Sequence, residues 1–211
     1  YVESDWQTLA SHTDDVVDEV ERIIEACELD DGDQVEALRL AARWHDAGKA
    51  HAQFQGALVD ADRSTLWAKA PSVKRYERKG FRHELASALA MLAHGQPDLA
   101  AYLAAAHHGK VRLSIRSLPH EKHPDDHAAR FARGVWDGDE LPEAELGGGV
   151  KLDATTIDLS YMELGEGEKG PSWLARMLAL RDEIGPFRLA YLEALLRAAD
   201  RRASAKNGGA R

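Results

Sequence analysis

Apolar residues recur at helical spacing along most of the chain. After Ser11 they fall at Val16, Val17, Val20, Ile23, Ile24 and Cys27, the i, i+3, i+4 pattern of an amphipathic helix. Ser11 with Asp14 reads as a capping box at its start, so His12 enters at a helix N-terminus. A second helix is expected over residues 33–47, with Val35, Leu38, Ala41, Ala42 and Trp44 on its buried side and Gly48 interrupting it. His45 and Asp46 then lie in its last turn. Residues 50–58 predict a short helix, and residues 60–80 a polar, basic, irregular connection. Two alanine-rich helices follow, over 82–94 and 98–107, ended by Gly95 and Gly109. Between 110 and 170 the periodicity fades, although residues 150–161 partly alternate and predict a small β-hairpin. Helicity returns at 172–184 and 186–203. Pro186 suits a first helical position there, and apolar residues on nearly every face predict a central helix carrying Asp200. Residues 205–211 read as a frayed tail. The expectation is an all-α helical bundle, one domain over residues 1–211 with an irregular insertion at 110–170.

Composition narrows the class. With 211 residues, 44% hydrophobic and 30% charged, the chain can bury one sizeable core and not two comfortable ones. Cys27 is the only cysteine, which excludes an intramolecular disulfide and points to the cytoplasm. The longest apolar stretches, residues 85–93 and 99–106, fall short of the roughly 18 residues of a membrane span, and no signal segment opens the chain. No membrane association is expected. The first residue is Tyr1, which suggests a processed chain or a domain cut from something longer.

A formal net charge of -9 argues against nucleic-acid binding, since phosphate backbones are held by Lys and Arg. The distribution softens that argument. Residues 69–82 carry Lys69, Lys74, Arg75, Arg78, Lys79 and Arg82 against one acid, Glu77, while Lys110, Arg112 and Arg116 follow a pair of histidines. Such a run is as readily a solvated face as a binding one.

The chemistry lies in the histidines. Neutral imidazoles and carboxylates are natural ligands for first-row divalent metals, and a mixed set with open positions activates water. His12, His45, Asp46, His83, His107, His108 and Asp200 come from separate helical segments, so only the fold can assemble them. Neighbours on an ideal helix point roughly 100° apart; His45 and Asp46 would therefore face one metal from different angles, or Asp46 would bridge two. His107-His108 at a helix C-terminus sits at the negative end of the helix dipole, which favours a nearby cation. His51, His94, His120, His123 and His127 join no pattern. Trp44, Phe54 and Trp67 are candidates for stacking on bases, although Trp44 falls on an apolar face and reads as core. Glu84 reads as a helix N-terminal charge.

Taken together, His45-Asp46-Ala47-Gly48-Lys49, Phe54-Gln55, His83, Ala106-His107-His108-Gly109 and Ala199-Asp200-Arg201-Arg202-Ala203-Ser204 resemble the HD nuclease domain of the CRISPR-associated helicase-nuclease of type I systems. The resemblance runs from His12 to Ser204. It implies an HD-domain helical bundle holding two divalent ions, Mn, Fe, Co or Ni, with Mg a further candidate. His12, His45, Asp46 and Asp200 would hold one, and Asp46, His83, His107 and His108 the other, with Asp46 as the bridge. It implies hydroxide attack on a phosphodiester of single-stranded DNA, with Lys49 contacting a phosphate or steadying the site. A helicase domain or subunit and a guide-RNA surveillance complex would be the partners. No helicase motif is present in these residues, so the domain is expected to be encoded separately or excised from a longer protein.

Two rival readings stay open. A nucleotide or cyclic-dinucleotide phosphohydrolase would share the metal set, but the latter carries an acidic residue and Gly-Tyr-Pro after its paired histidines, where this chain has Gly109-Lys110-Val111-Arg112. A non-catalytic, metal-stabilised docking module should have a degraded ligand set, and this one is complete.

Overall fold

The computed structural model describes residues 5–30 and 32–208. Its frame is helical. Helix α1 (Leu9–Ala26) buries Leu9, His12, Val16, Val20, Ile23 and Ile24 along one stripe, as the periodicity requires. It starts earlier than the expected capping box. Thr8 is the N-cap, its hydroxyl accepting from the Ser11 backbone N–H at 3.2 Å. His12 consequently stands on the buried face of the first turn rather than at the helix entrance. Helix α2 (Gly32–Trp44) ends one residue before His45, so His45 and Asp46 occupy a turn and not a helix. A 3-10 turn (Ala47–Ala50) and the short α3 (Ala52–Ala57) follow, with the His51 ring accepting from the Gln53 N–H as the cap of α3.

Helices α4 (His83–Ala93) and α5 (Asp98–Ala106) are the alanine-rich pair, buried on almost every face. A helix apolar all round belongs inside a protein, and the small side chains let neighbouring backbones come close. Helix α6 (Trp173–Ile184), capped by Ser172, leads into α7 (Pro186–Gly208), which packs along α1. Residues 205–208, expected as part of a frayed tail, continue α7. Their place is held by charge: Lys206 pairs with Glu19 of α1, a buried carboxylate that also meets Arg22 at 2.6 Å and Arg202 at 3.4 Å. Residues 209–211 lie outside the described residues.

The insertion is better ordered than its fading periodicity suggests. Four antiparallel pairs of two-residue strands run through it: Phe131–Ala132 with Val135–Trp136, Glu140–Leu141 with Thr155–Thr156, Ala144–Glu145 with Lys151–Leu152, and Glu166–Gly167 with Gly170–Pro171. Strand residues do fall within 150–161, but each pairs upstream, so the local hairpin is not formed. Leu141, Leu146, Leu152, Ile157 and Leu159 are buried in the same core as the helices. Each strand buries at most one residue, too few for any period to register. His120, His123 and His127 lie in a stretch with no helix or strand.

One glycine is required by packing near the site. A Cβ on Gly48 would lie 2.1 Å from the His83 carbonyl oxygen and 2.7 Å from the Ser87 amide nitrogen. The 3-10 turn therefore sits directly on the backbone of α4, where Ser87 Oγ accepts the Gly48 N–H at 2.8 Å and donates to the His83 carbonyl at 3.0 Å. Overpacking a close contact costs about 1–3 kcal/mol. Gly48→Ala is expected to lose about that much in urea unfolding, and an unchanged midpoint would mean that the contact is not rigid.

Candidate metal centre

Four helices and the turn after α2 converge on Asp46. His12 arrives from α1, His83 begins α4, His107 caps the C-terminus of α5 with His108 beside it, and Asp200 comes from α7. The turn matters for the central pair. Helical neighbours would diverge, whereas here, with Asp46 at φ -104° and ψ 5°, His45 Nε2 lies 3.4 Å from Asp46 Oδ2. The same oxygen is 3.3 Å from His12 Nε2 and 2.6 Å from Lys49 Nζ. On the other side, Asp46 Oδ1 is 3.1 Å from His83 Nε2 and 4.0 Å from His107 Nε2. The carboxylate thus turns one oxygen to each of two histidine groups. Asp200 Oδ1 stands 3.3 Å from His12 Nε2.

Hydrogen bonding decides which ring nitrogens are available. His45 Nδ1 meets the Ala42 carbonyl at 2.8 Å and His107 Nδ1 meets the Ala104 carbonyl at 2.6 Å. A carbonyl only accepts, so both Nδ1 atoms carry hydrogen and both Nε2 atoms turn toward Asp46. Among the described residues, Nε2 of His12, His45, His83 and His107 and Asp46 Oδ1 are buried without a hydrogen-bond partner, while Asp46 Oδ2 is ion-paired with Lys49. Orphaned polar atoms are rare in folded proteins, because each costs about 1–3 kcal/mol. A cation would satisfy them together. Two groups have ligand atoms all within 4.8 Å of one another, His12 with His45 and Asp46, and His83 with His107 and His108. His108 is the exposed member, and Asp200 stands at the edge of the first group.

The electrostatics suit a positively charged guest. Burial alone would push the Asp46 carboxyl up, but His45 and Lys49 hold it well below the usual carboxylate range. Burial opposes a charge on His45 too, yet the adjoining Asp46 carboxylate raises it overall. Burial pushes His83 down to about 4, and it lowers His107 and His108 as well. These three rings are therefore neutral at pH 7, the form that donates a lone pair. Asp200, although burial opposes its charge, is held below its ordinary range by the adjoining His12 and His45 rings.

Several supporting residues acquire reasons that no spacing disclosed. Gln55 Nε2 donates to the carbonyls of Lys49 at 2.7 Å and Trp67 at 2.8 Å, while its Oε1 accepts the Trp67 N–H. It staples the strand Trp67–Lys69 to the metal-site turn. Lys49 Nζ, buried against Asp46, also donates to the Ala68 carbonyl at 3.2 Å. Phe54 is buried with its ring centroid 5.9 Å from that of His83, so it supports a ring and does not stack on bases. Trp44 is core, as its apolar face predicts. The basic run is partly structural. Arg78 meets Asp139 at 2.6 Å and lies over the Trp136 ring, and Asp139 also meets His51 at 3.0 Å.

Glu84 is the residue sequence reasoning undervalued. It does stand in the first turn of α4, but it is fully buried, with neither carboxylate oxygen hydrogen-bonded and His83 Nδ1 3.8 Å away. Burial raises its pKa from 4.5 to about 6. A folded-state value above the unfolded one means that the native state holds the extra proton. The resulting stability is present below about pH 4.5 and is lost as pH rises through about 6. Glu84→Gln removes that ionisation. In the metal-free protein its stability relative to wild type should grow by about 2 kcal/mol between pH 4.5 and pH 7.5, read from urea melts. A constant difference across that range would show that Glu84 is solvated or paired in solution.

The model of the family described as "Cas3, HD domain" matches residues 2–146. No curated protein and no solved structure matches the chain. The matched span contains His12, His45, Asp46, Lys49, His83, His107 and His108 and ends before Asp200. With more than half of the chain covered and an HD-type helical frame around a histidine and aspartate cluster, the chain belongs to the Cas3 HD-domain family, the metal-dependent HD phosphohydrolases and nucleases of CRISPR systems.

Proposed function

We propose that the protein hydrolyses phosphodiester bonds of single-stranded DNA at a centre of two divalent cations. His12, His45, Asp46 and Asp200 would hold one, and Asp46, His83, His107 and His108 the other. The observation that carries this reading is the set of buried, unpartnered Nε2 atoms arranged on the two sides of Asp46. When bound, such cations polarise phosphoryl oxygens and acidify water at neutral pH. The chain's own part is preorganisation. Carbonyls of Ala42 and Ala104 orient two rings, the kind of outer-shell contact whose loss costs about 10–100-fold in metal affinity or activity. Asp46 faces both groups. Lys49, tied to Asp46 and to the Ala68 carbonyl, steadies the turn and offers a third ammonium hydrogen toward a phosphate. Manganese, iron, cobalt and nickel suit the nitrogen-rich donors, with magnesium the harder alternative. Family membership supports a cytoplasmic role beside a helicase domain or subunit and a guide-RNA surveillance complex.

Metal analysis and a nuclease assay test this directly. Wild type should carry bound metal and cut single-stranded DNA with one or more of these ions, whereas Asp46→Ala should lose both properties. Wild type that hydrolyses nucleotides but leaves DNA intact under every ion would overturn the DNA reading. Lys49→Met should keep the fold by circular dichroism and lower the cleavage rate by about 10–100-fold; an unchanged rate would remove Lys49 from the site.

A further inference from the structure

The strand Trp67–Lys69 pairs antiparallel with Gln7–Thr8, and the register shifts between Gln7 and Thr8. Three residues on one side thus oppose two on the other, the geometry of a bulge, which often re-aims groups beside active sites. Ala68 is buried in the middle, and its carbonyl accepts from Lys49 Nζ, the group that reaches Asp46. Trp67 and Lys69 stand half-exposed on either side. The strand is therefore a wall of the metal centre with two outward side chains.

Those side chains have complementary chemistry. The Trp67 ring is held in place by its Nε1–H, which donates to the Asp62 carbonyl at 3.0 Å, and its backbone by Gln55. Trp6 lies against it, with ring centroids 4.8 Å apart and planes inclined by 57°, and is itself 36% exposed. Lys69 Nζ donates to Ser204 Oγ at 2.8 Å, and Ser204 in turn lies 3.4 Å from Asp200 Oδ1. An ammonium has three hydrogens to donate, so Lys69 can hold Ser204 and still meet an anion. Residues two apart on a strand are about 7 Å apart, a separation comparable to one nucleotide step of an extended single strand. Aromatic faces alternating with cations are the general means of binding single strands without sequence preference.

We propose that Trp67, braced by Trp6, stacks on a nucleobase of the single-stranded substrate while Lys69 takes the adjoining phosphate, leading the strand into the metal centre. This rests on the single-stranded DNA reading above and adds the residues that grip the substrate. It also accounts for an aromatic pair left partly in water beside a buried site, where a core function would have covered it.

The test compares two oligonucleotides, a thymidine 12-mer and a 12-mer of the same length with abasic sites, cut by the manganese-loaded protein. Wild type is expected to show a higher kcat/KM on the thymidine strand. Trp67→Leu should lower that value about tenfold, the size of one base–aromatic stack, and bring the ratio between the two substrates close to one. Trp67→Phe should retain most of the preference, and Trp6→Ala should reduce it about threefold. Lys69→Gln should weaken both substrates alike and flatten the salt dependence of binding. Equal cutting of both substrates by wild type, or an equal loss on both in Trp67→Leu, would overturn the proposal while leaving the nuclease reading intact. Wild type that cuts neither strand would overturn both. Because wild type alone already compares base with no base, the proposal stays testable even where Trp67→Leu fails to fold.

Discussion

A carboxylate with 1% of its surface exposed is the constraint around which this molecule is arranged. Removing such a charge from water costs several kcal/mol even after relaxation, so Asp46 has to be surrounded by positive charge or by donors. Lys49 and His45, along the same turn, meet part of that demand with positive charge, while His12 from α1, His83 from α4 and His107 from α5 turn ring nitrogens toward the same carboxylate. The helices do not merely enclose the site. Three of them bring imidazoles to the same carboxylate. The alanine-rich faces of α4 and α5 permit that convergence, because larger residues there would hold the backbones apart.

Compensation by these neighbours is incomplete, and the incompleteness is informative. Four buried Nε2 atoms remain without partners around Asp46, while burial suppresses the protonation of His83 and His107. A cluster built only for stability would be expected to close its hydrogen bonds, since a half-satisfied polar network is less stable than an apolar core. The arrangement is that of a receptor for cations, in keeping with membership of a metal-dependent hydrolase family. Around it the outer contacts are closed: Ala42 and Ala104 fix the rings, Gln55 ties the turn to the neighbouring strand, and the insertion is clamped through Asp139 to His51 and Arg78. Rigidity outside and unmet demand inside are two parts of one design.

The helical frame is legible in the sequence alone. The helices of α1, α2, α4, α5, α6 and α7 follow from apolar periodicity, and the histidines with both aspartates stand out as candidate ligands through the motifs that carry the family resemblance. The errors were local and have local causes. Thr8 outcompetes Ser11 as a cap because α1 begins three residues earlier. His45 and Asp46 leave the helix because Gly48 must sit against the α4 backbone, and a helical course would carry the turn away from it. Residues 205–208 stay helical because Lys206 finds the buried Glu19. The insertion was opaque because its core residues are delivered singly by two-residue strands.

By itself the sequence determined that the chain forms a helical bundle and that histidines and carboxylates are its candidate ligands. Both follow from local properties: side-chain period records which face of a helix is buried, and residue type records which atoms can donate a lone pair. Only the tertiary structure decided that Asp46 turns one oxygen to each histidine group, that Glu84 is buried without a hydrogen bond, and that Trp67 and Lys69 flank the site. Those are relations between residues far apart in the chain, such as Lys69 with Ser204 or Gly48 with Ser87. Distance in space is set by packing, and spacing along the chain holds no record of it.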